Sequence, residues 1–410
     1  MIKIIKKEDF KRVKAENSDV SNIVAEILEN VKRNGDKAVS EYEHKFGNDL
    51  PLKVTEDEIL QALKSVDEDY ISMLERAAGN IRAFHEKQLP KGYEFSPKDG
   101  IILGQRVLPL KRAGLYVPGG TASYPSTVLM NAIPAKIAGV QEVFIATPSP
   151  SPNIIAAAKV AGVTEIFRVG GAQAIGALAY GTETVPKVDK ITGPGNVYVA
   201  EAKRQVYSIV DIDMIAGPSE ILIIADRGNP AFIASDILAQ AEHDINASAF
   251  LVTTSENLAR DVQQEVTRQL EELPRKNIAM SAVDNNSAII LVSSLDEAVN
   301  LANEISPEHL EICTDNPLSV LPKIINAGSV FLGEYSPEAL GDYYAGANHT
   351  LPTMGTARFS SPLSVTDFMK TSQYIYYDKN ALNEASKDIE MFALSEGLHA
   401  HAKSITIRRI

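Results

Sequence analysis

An α/β fold with two similar, incomplete Rossmann-like lobes on parallel sheets, plus a helical N-terminal segment and an extended C-terminal tail, is what this sequence predicts. Three observations predict it. Short apolar runs bounded by Gly and Pro alternate with helix-length stretches. That alternation occurs twice along the chain, and the segments flanking it lack it. Strands that are apolar throughout, separated by helical crossovers, are the mark of parallel sheets covered on both faces.

In chain order, the first 20 residues are polar and charged and read as an arm of the kind that serves subunit contacts. From about Ser21 to Glu86, apolar residues recur at three- and four-residue spacing, as in VSNIVAEILENVKRNGDKAVSEYEHKF, which predicts helices with a stop at Gly35. Between Gly100 and Ala225 the runs EVFIATP, EIFRVG and EILIIAD alternate with the helical stretches ASYPSTVLMNAIPAKIAG and NIIAAAKVAG. From Asp226 to Gly333 the pattern returns, with strands SAFLVTTS, SAIILVS and GSVFLGE. The boundaries expected from this are an arm at 1–20, one lobe made of 21–112 with 219–365, a second lobe at 113–218, and a tail at 366–410. The tail carries SQYIYYD and two helical segments, too little for a core of its own, so it is expected to dock elsewhere. Sheets of this kind are expected to hold ligands beyond the carboxyl ends of their strands.

The 410 residues include 40 Lys and Arg against 53 Asp and Glu, a net charge of −13, which argues against a general binder of nucleic acid or anionic membrane. A single cysteine, Cys313, excludes an intrachain disulfide and any Cys-rich metal site, and makes a reducing cytoplasm the expected setting. The charged start MIKIIKKEDFKRVK does not read as a secretory leader, and no run reaches the ~18 apolar residues of a membrane span.

Candidate chemistry is concentrated in the second half. His44 and His85 sit in amphipathic helical stretches and read as ordinary helix residues. Gln240 and His243, three apart in DILAQAEHD, share a helical face and fit either a satisfied surface pair or two donors to one cation. In SPEHLEICTD, Glu308 and His309 are adjacent at a turn, where a carboxylate and an imidazole can face one cleft for acid–base work. The irregular segment GEYSPEALGDYYAGANHTLPTMGTARFS is of the kind that carries function, with Asp342 a candidate hard ligand and His349 a candidate site residue. In SEGLHAHAKS, Glu396 and His401 would lie about 140° apart on one ideal helix, so they reach a common site only if Gly397 bends the chain or the site wraps the element. His399 and His401 do not face the same way. Four glycine clusters, LYVPGGTASYPS, VGGAQAIGALAYG, ITGPGNVYVAEAKRQV and MIAGPSEILIIAD, fit either tight βα turns or phosphate cradles. The dinucleotide fingerprint G-x-G-x-x-G is absent, since Tyr198 stands where the third glycine after Gly193 and Gly195 belongs.

Taken in order, GPGNVYVAEAK, DMIAGPSEILIIAD, DILAQAEHD, SPEHLEI, AGSVFLGEYSPEALGDYYAGANHTLPT and EGLHAHA resemble the histidinol dehydrogenase family, from Gly114 to Ala402. The resemblance implies two-step oxidation of L-histidinol to L-histidine through bound L-histidinal, the last step of histidine biosynthesis. It also implies two NAD⁺ per turnover and one Zn²⁺ per site, in a homodimer. The implied zinc ligands are Gln240, His243, Asp342 and His401, with the metal's remaining positions taken by the substrate's imidazole and amine. His309 is the implied proton acceptor and Glu308 the residue that activates water. Ser219 and Glu396 join His309 and the ligands as implied substrate contacts, while Tyr116, Gln173 and Asn196 are implied NAD contacts, making 113–218 the NAD-binding lobe. The family's C-terminal segment crosses to the other subunit, which would make the tail a dimerisation element donating Glu396 and His401 in trans. His349 falls near the substrate without an assigned role, and His399 is an additional imidazole.

Two other enzyme readings remain at this point. One is a zinc-dependent hydrolase of an imidazole-bearing substrate, with Glu308 activating water at the metal. The other is a conventional aldehyde dehydrogenase, which needs a nucleophilic cysteine, and Cys313 inside an apolar run is poorly placed for that. A two-lobed binding protein without chemistry leaves Glu308 and His309 without a purpose.

Overall fold

The computed structural model describes residues 1–12, 20–119 and 124–409. The sequence alternation becomes two all-parallel sheets within one compact unit, Met1–Gln88 with Leu110–Phe368; Leu89–Pro109 and Met369–Ile410 make a second unit.

The larger sheet contains β1 (Lys3–Lys6), β9 (Glu220–Ala225), β10 (Ser248–Thr253), β11 (Ala288–Leu291), β12 (His309–Cys313) and β13 (Ser329–Leu332), in the order β1-β11-β10-β9-β12-β13. Its strands are apolar without alternation because both faces are covered. Ile221 and Ile223 of β9 pack on one layer with Leu251 and Val262, whereas Leu222 and Ile224 pack on the other with Phe250 and Leu301. Expected to be an arm, the N-terminal segment instead supplies β1, an edge strand in register with Ala288–Leu291, and buries Ile2 completely. Residues 13–19 of the expected arm lie outside the described residues.

The smaller sheet contains β4 (Arg112–Tyr116), β5 (Glu142–Ala146), β6 (Glu165–Phe167), β7 (Lys190–Thr192) and β8 (Asp211–Ile212), in the order β6-β5-β4-β7-β8. The order reverses between β4 and β7, so a crevice opens at their carboxyl ends. The helix Ser21–Lys45 breaks at Gly35, where φ is 50°. Expected with 219–365, the helical N-terminal segment packs instead on this smaller lobe. Val24, Leu28 and Val31 share a core with Ala174, Ile175 and Leu178, and the helix Glu68–His85 lies against the helices Pro125–Ala138 and Pro152–Ala161. The amphipathic stripe of Ser21–Lys45 finds its apolar partner in the alanine-rich helix Gly171–Tyr180.

In the second unit, β14 (Met369–Tyr377) pairs antiparallel with β3 (Ile101–Pro109) along nine residues, and β3 pairs with β2 (Tyr93–Phe95). The tail therefore does not stand alone; it recruits residues 89–109, which the sequence reading placed in a lobe. The helices Lys379–Ser395 and His399–Thr406 complete the unit.

Candidate active site

The candidate acid–base pair is set by the larger sheet. His309 is the first residue of β12, in register with Ile221 of β9 and Ser329 of β13, and Glu308 immediately precedes it. Ser306 ends the helix Leu295–Ile305 with φ 52°, turning the chain into this strand. The Glu308 carboxylate accepts the backbone N–H of Glu220 at 3.0 Å, and its Oε1 lies 3.6 Å from His309 Nε2. Ser219, implied as a substrate contact, directly precedes β9. These groups therefore gather at the amino edge of the larger sheet, not at the carboxyl edge expected from parallel-sheet topology.

Three more elements converge there. Gln240 lies on the last turn of the helix Pro230–Ala241 and is fully buried, and His243 follows it in an exposed turn. Asp342 lies on a short helix, Glu338–Tyr343, inside the segment that lacked apolar periodicity. His243, Asp342 and Glu338 bring their potential ligand atoms within 4.8 Å of one another. Glu338 was not singled out from the sequence. Its signal is the i, i+4 spacing to Asp342 within one helical turn.

Glu338 is buried, and its Oε1 lies 3.5 Å from His309 Nε2, so the imidazole stands between two carboxylates. Burial pushes the Glu338 carboxyl up to about 8 against the pull of His309, with Asp342, Glu308 and Asp236 adding to the rise. Burial alone would lower the His309 pKa, but Glu338, Glu308 and Asp342 outweigh it and hold the imidazolium up to about 10. His309 Nδ1 is buried without a hydrogen-bond partner among the described residues. His349 is the opposite case, lowered by burial. Its Nδ1 donates to the Asp342 carbonyl at 3.0 Å, and its Nε2 lies 3.4 Å from Thr127 Oγ1. His309, Asp342 and His349 line one cleft of about 250 Å³, together with Phe331, Asn348 and Leu351. That volume suits a small polar metabolite.

The donor chemistry fits a zinc ion: imidazole, carboxylate and amide oxygen suit Zn²⁺ without a thiolate. His243 and Asp342 bring potential ligand atoms within 4.8 Å of each other, close enough to share a cation. Cys313 is no nucleophile, because burial and the carboxylates of Glu311, Asp236 and Glu334 push its thiol up to about 12.

The implied NAD contacts lie at the crevice of the smaller sheet. Tyr116 ends β4, and its hydroxyl accepts the Gly171 N–H at 3.0 Å. Gln173 lies on the helix that Gly171 begins, and Asn196 caps the helix Val197–Val206, accepting from the Tyr198 and Val199 N–H groups. Gly193 has φ 110°, and a Cβ there would sit 2.1 Å from the Tyr116 carbonyl oxygen, so only glycine permits this approach. A buried pair, Lys203 with Asp213, holds that turn: Lys203 Nζ donates to the Gly193 carbonyl and Asp213 accepts the Gly193 N–H. A helix N-terminus behind a glycine turn fits a pyrophosphate. Tyr116 and Gln173 themselves are buried, and residues 120–123 of the LYVPGGTASYPS cluster lie outside the described residues.

Glu396 and His401 belong to the second unit. Gly397, with φ 74°, separates the helix Lys379–Ser395 from His399–Thr406, so the two residues are not on one ideal helix. Glu396, His399 and His401 are all exposed.

A family profile described as histidinol dehydrogenase matches residues 10–409. The histidinol dehydrogenase of Clostridium acetobutylicum is 53% identical over 401 residues, covering 96% of this chain and 93% of the relative. That of Listeria monocytogenes is 51% identical over 413 residues, covering 98% and 97%. The crystal structure of histidinol dehydrogenase from Elizabethkingia anophelis superposes with a TM-score of 0.94 at 38% identity, covering 99% of this chain and 98% of that one. The likeness extends through both sheets and into the tail, and so the chain belongs to the histidinol dehydrogenase family of oxidoreductases.

Proposed function

We propose that the chain oxidises L-histidinol to L-histidine in two NAD-dependent steps through bound L-histidinal, with the chemistry at the amino edge of the larger sheet. The observation that carries this is His309 Nε2 standing 3.6 and 3.5 Å from the carboxylates of Glu308 and Glu338, beside His243 and Asp342, in a chain of this family. Loss of hydride from an alcohol carbon requires loss of the hydroxyl proton as well, and His309 is the acceptor in reach. Once the aldehyde has formed, Glu308 draws a proton from a water that adds to the carbonyl while His309 returns its proton to the carbonyl oxygen; neutral again, His309 takes a hydroxyl proton of the hydrate as the second hydride leaves. Ser219 and the partner subunit's Glu396 hold the substrate.

Gln240, His243 and Asp342, with the partner subunit's His401, would hold a zinc ion. Bound there, the ion supplies a fixed positive charge that orients the substrate's imidazole and amine and offsets the carboxylates that otherwise keep His309 protonated. Tyr116, Gln173 and Asn196 would hold NAD⁺, which when bound supplies the hydride acceptor for each step. Assembly as a homodimer is supported by exposed apolar side chains of the second unit, among them Ile375 at 74%, Phe392 at 69% and Met391 at 65% exposure. The hydrolase reading is not favoured by any relative reported above.

Zinc-loaded protein given L-histidinol and NAD⁺ is expected to form two NADH per histidine, with one zinc per chain by metal analysis and the mass of a dimer in solution. One NADH per product, or hydrolysis without NADH, would overturn the reading.

A further inference from the structure

Gln240 is fully buried on the last turn of its helix, and a buried primary amide must place its nitrogen on acceptors and its oxygen toward donors. One end of the amide lies 2.6 Å from Oε1 and 2.9 Å from Oε2 of Glu338, and only with the nitrogen assigned to that end do both contacts become hydrogen bonds. The reverse orientation sets the carbonyl oxygen against the carboxyl oxygens of Glu338 and leaves the N–H group facing donors alone, whereas this one satisfies both ends. Glu338 is itself fixed: it begins a helix, its backbone N–H donates to Glu311 Oε1 at 2.9 Å, and its side chain is buried against His309.

A carboxamide can ligate a cation only through its oxygen, because the nitrogen lone pair is delocalised into the carbonyl. We propose that Glu338 is a positioning residue that fixes the Gln240 amide by its nitrogen, leaving the carbonyl oxygen as the end presented to the cation. This rests on the zinc site proposed above. With both oxygens engaged by Gln240, and Oε1 also facing His309, Glu338 acts through Gln240 and does not serve as a ligand. Partners of this kind, one bond removed from the metal, typically change affinity 10–100-fold when replaced.

The test is zinc retention by the full-length protein against graded chelator, with thermal unfolding of the zinc-free forms as a check on folding. Glu338→Ala and the isosteric Glu338→Gln are each expected to weaken zinc binding 10–100-fold, as is Gln240→Ala. The double variant Gln240→Ala/Glu338→Ala is expected to bind no more weakly than Gln240→Ala alone, because the two residues act as one device. Zinc held by both Glu338 variants as tightly as by the unaltered chain would overturn the inference and leave the zinc site standing. A double variant showing the product of the two single losses would also overturn it, and would make Glu338 an independent ligand. An unaltered chain that holds no zinc would overturn the proposed site and this inference together.

Discussion

The side-chain amide of Gln173 donates to Glu43 Oε1 at 2.9 Å, and the same oxygen accepts the Gly170 N–H at 2.9 Å. Glu43 comes from the helix Ser21–Lys45 and is 2% exposed, so a residue 130 positions away clamps the turn that leads into the implied NAD contact. Replacing Glu43 by Ala leaves two buried donors unpaired. The expected outcome is a raised KM for NAD⁺ with kcat changed little, and a loss of about 1–3 kcal/mol in unfolding free energy. Steady-state kinetics with varied NAD⁺ checks the first and denaturant titration the second. An unchanged KM would remove Gln173 from the cofactor site.

His309→Ala is expected to retain zinc while losing 10²–10⁴-fold in turnover, the usual contribution of general-base help. Metal analysis of the purified variant beside its rate of NADH formation decides it. Loss of metal would place His309 among the ligands.

Behind the candidate site, Asp236 is paired with Glu311, and burial holds the Asp236 carboxyl up at about 6, against an ordinary 3.8. A carboxyl with a raised pKa binds its proton more tightly in the folded state. Its contribution is therefore present at pH below the ordinary value and is lost as pH rises through about 6. Asp236→Asn is expected to flatten the stability–pH curve between about pH 4 and 7 and to raise stability at neutral pH, by at most about 3 kcal/mol. Melting temperatures measured across that range would show it, and a curve parallel to that of the unaltered chain would refute it.

Lys203 and Asp213 are both buried, at 2% and 1% side-chain exposure. Lys203→Met strands the Asp213 carboxylate and is expected to destabilise the fold by about 3–5 kcal/mol, whereas replacing both partners with apolar residues is expected to recover much of that loss. Chemical denaturation of the single and double variants makes the comparison.

The sheets were legible because fully buried parallel strands such as Glu220–Ala225 and Ser248–Thr253 are apolar at consecutive positions, and Gly35 broke its helix as read. Glu308 and His309 were legible as neighbours at a turn. Glu338 was not, because its partners Gln240 and His309 come from other elements and no local pattern announces them. The docking of Ser21–Lys45 on the smaller lobe was hidden for a related reason: an apolar stripe states that a helix is covered and not by which layer. Parallel topology suggested the carboxyl edge, yet the candidate acid–base pair lies at the amino edge because Glu308 precedes β12 and His309 begins it.

The nine-residue pairing of β3 with β14 joins positions about 260 residues apart in the chain. At translation speeds of 5–20 residues per second, β3 leaves the ribosome roughly 10–60 s before its partner exists. Its ladder waits through that interval with unmated N–H and C=O groups, so a nascent chain stalled before Met369 offers an open edge to any passing strand. Productive folding of this protein is thus tied to completing synthesis, and ribosome pausing late in the message is a hazard that no substitution in the candidate active site would reveal.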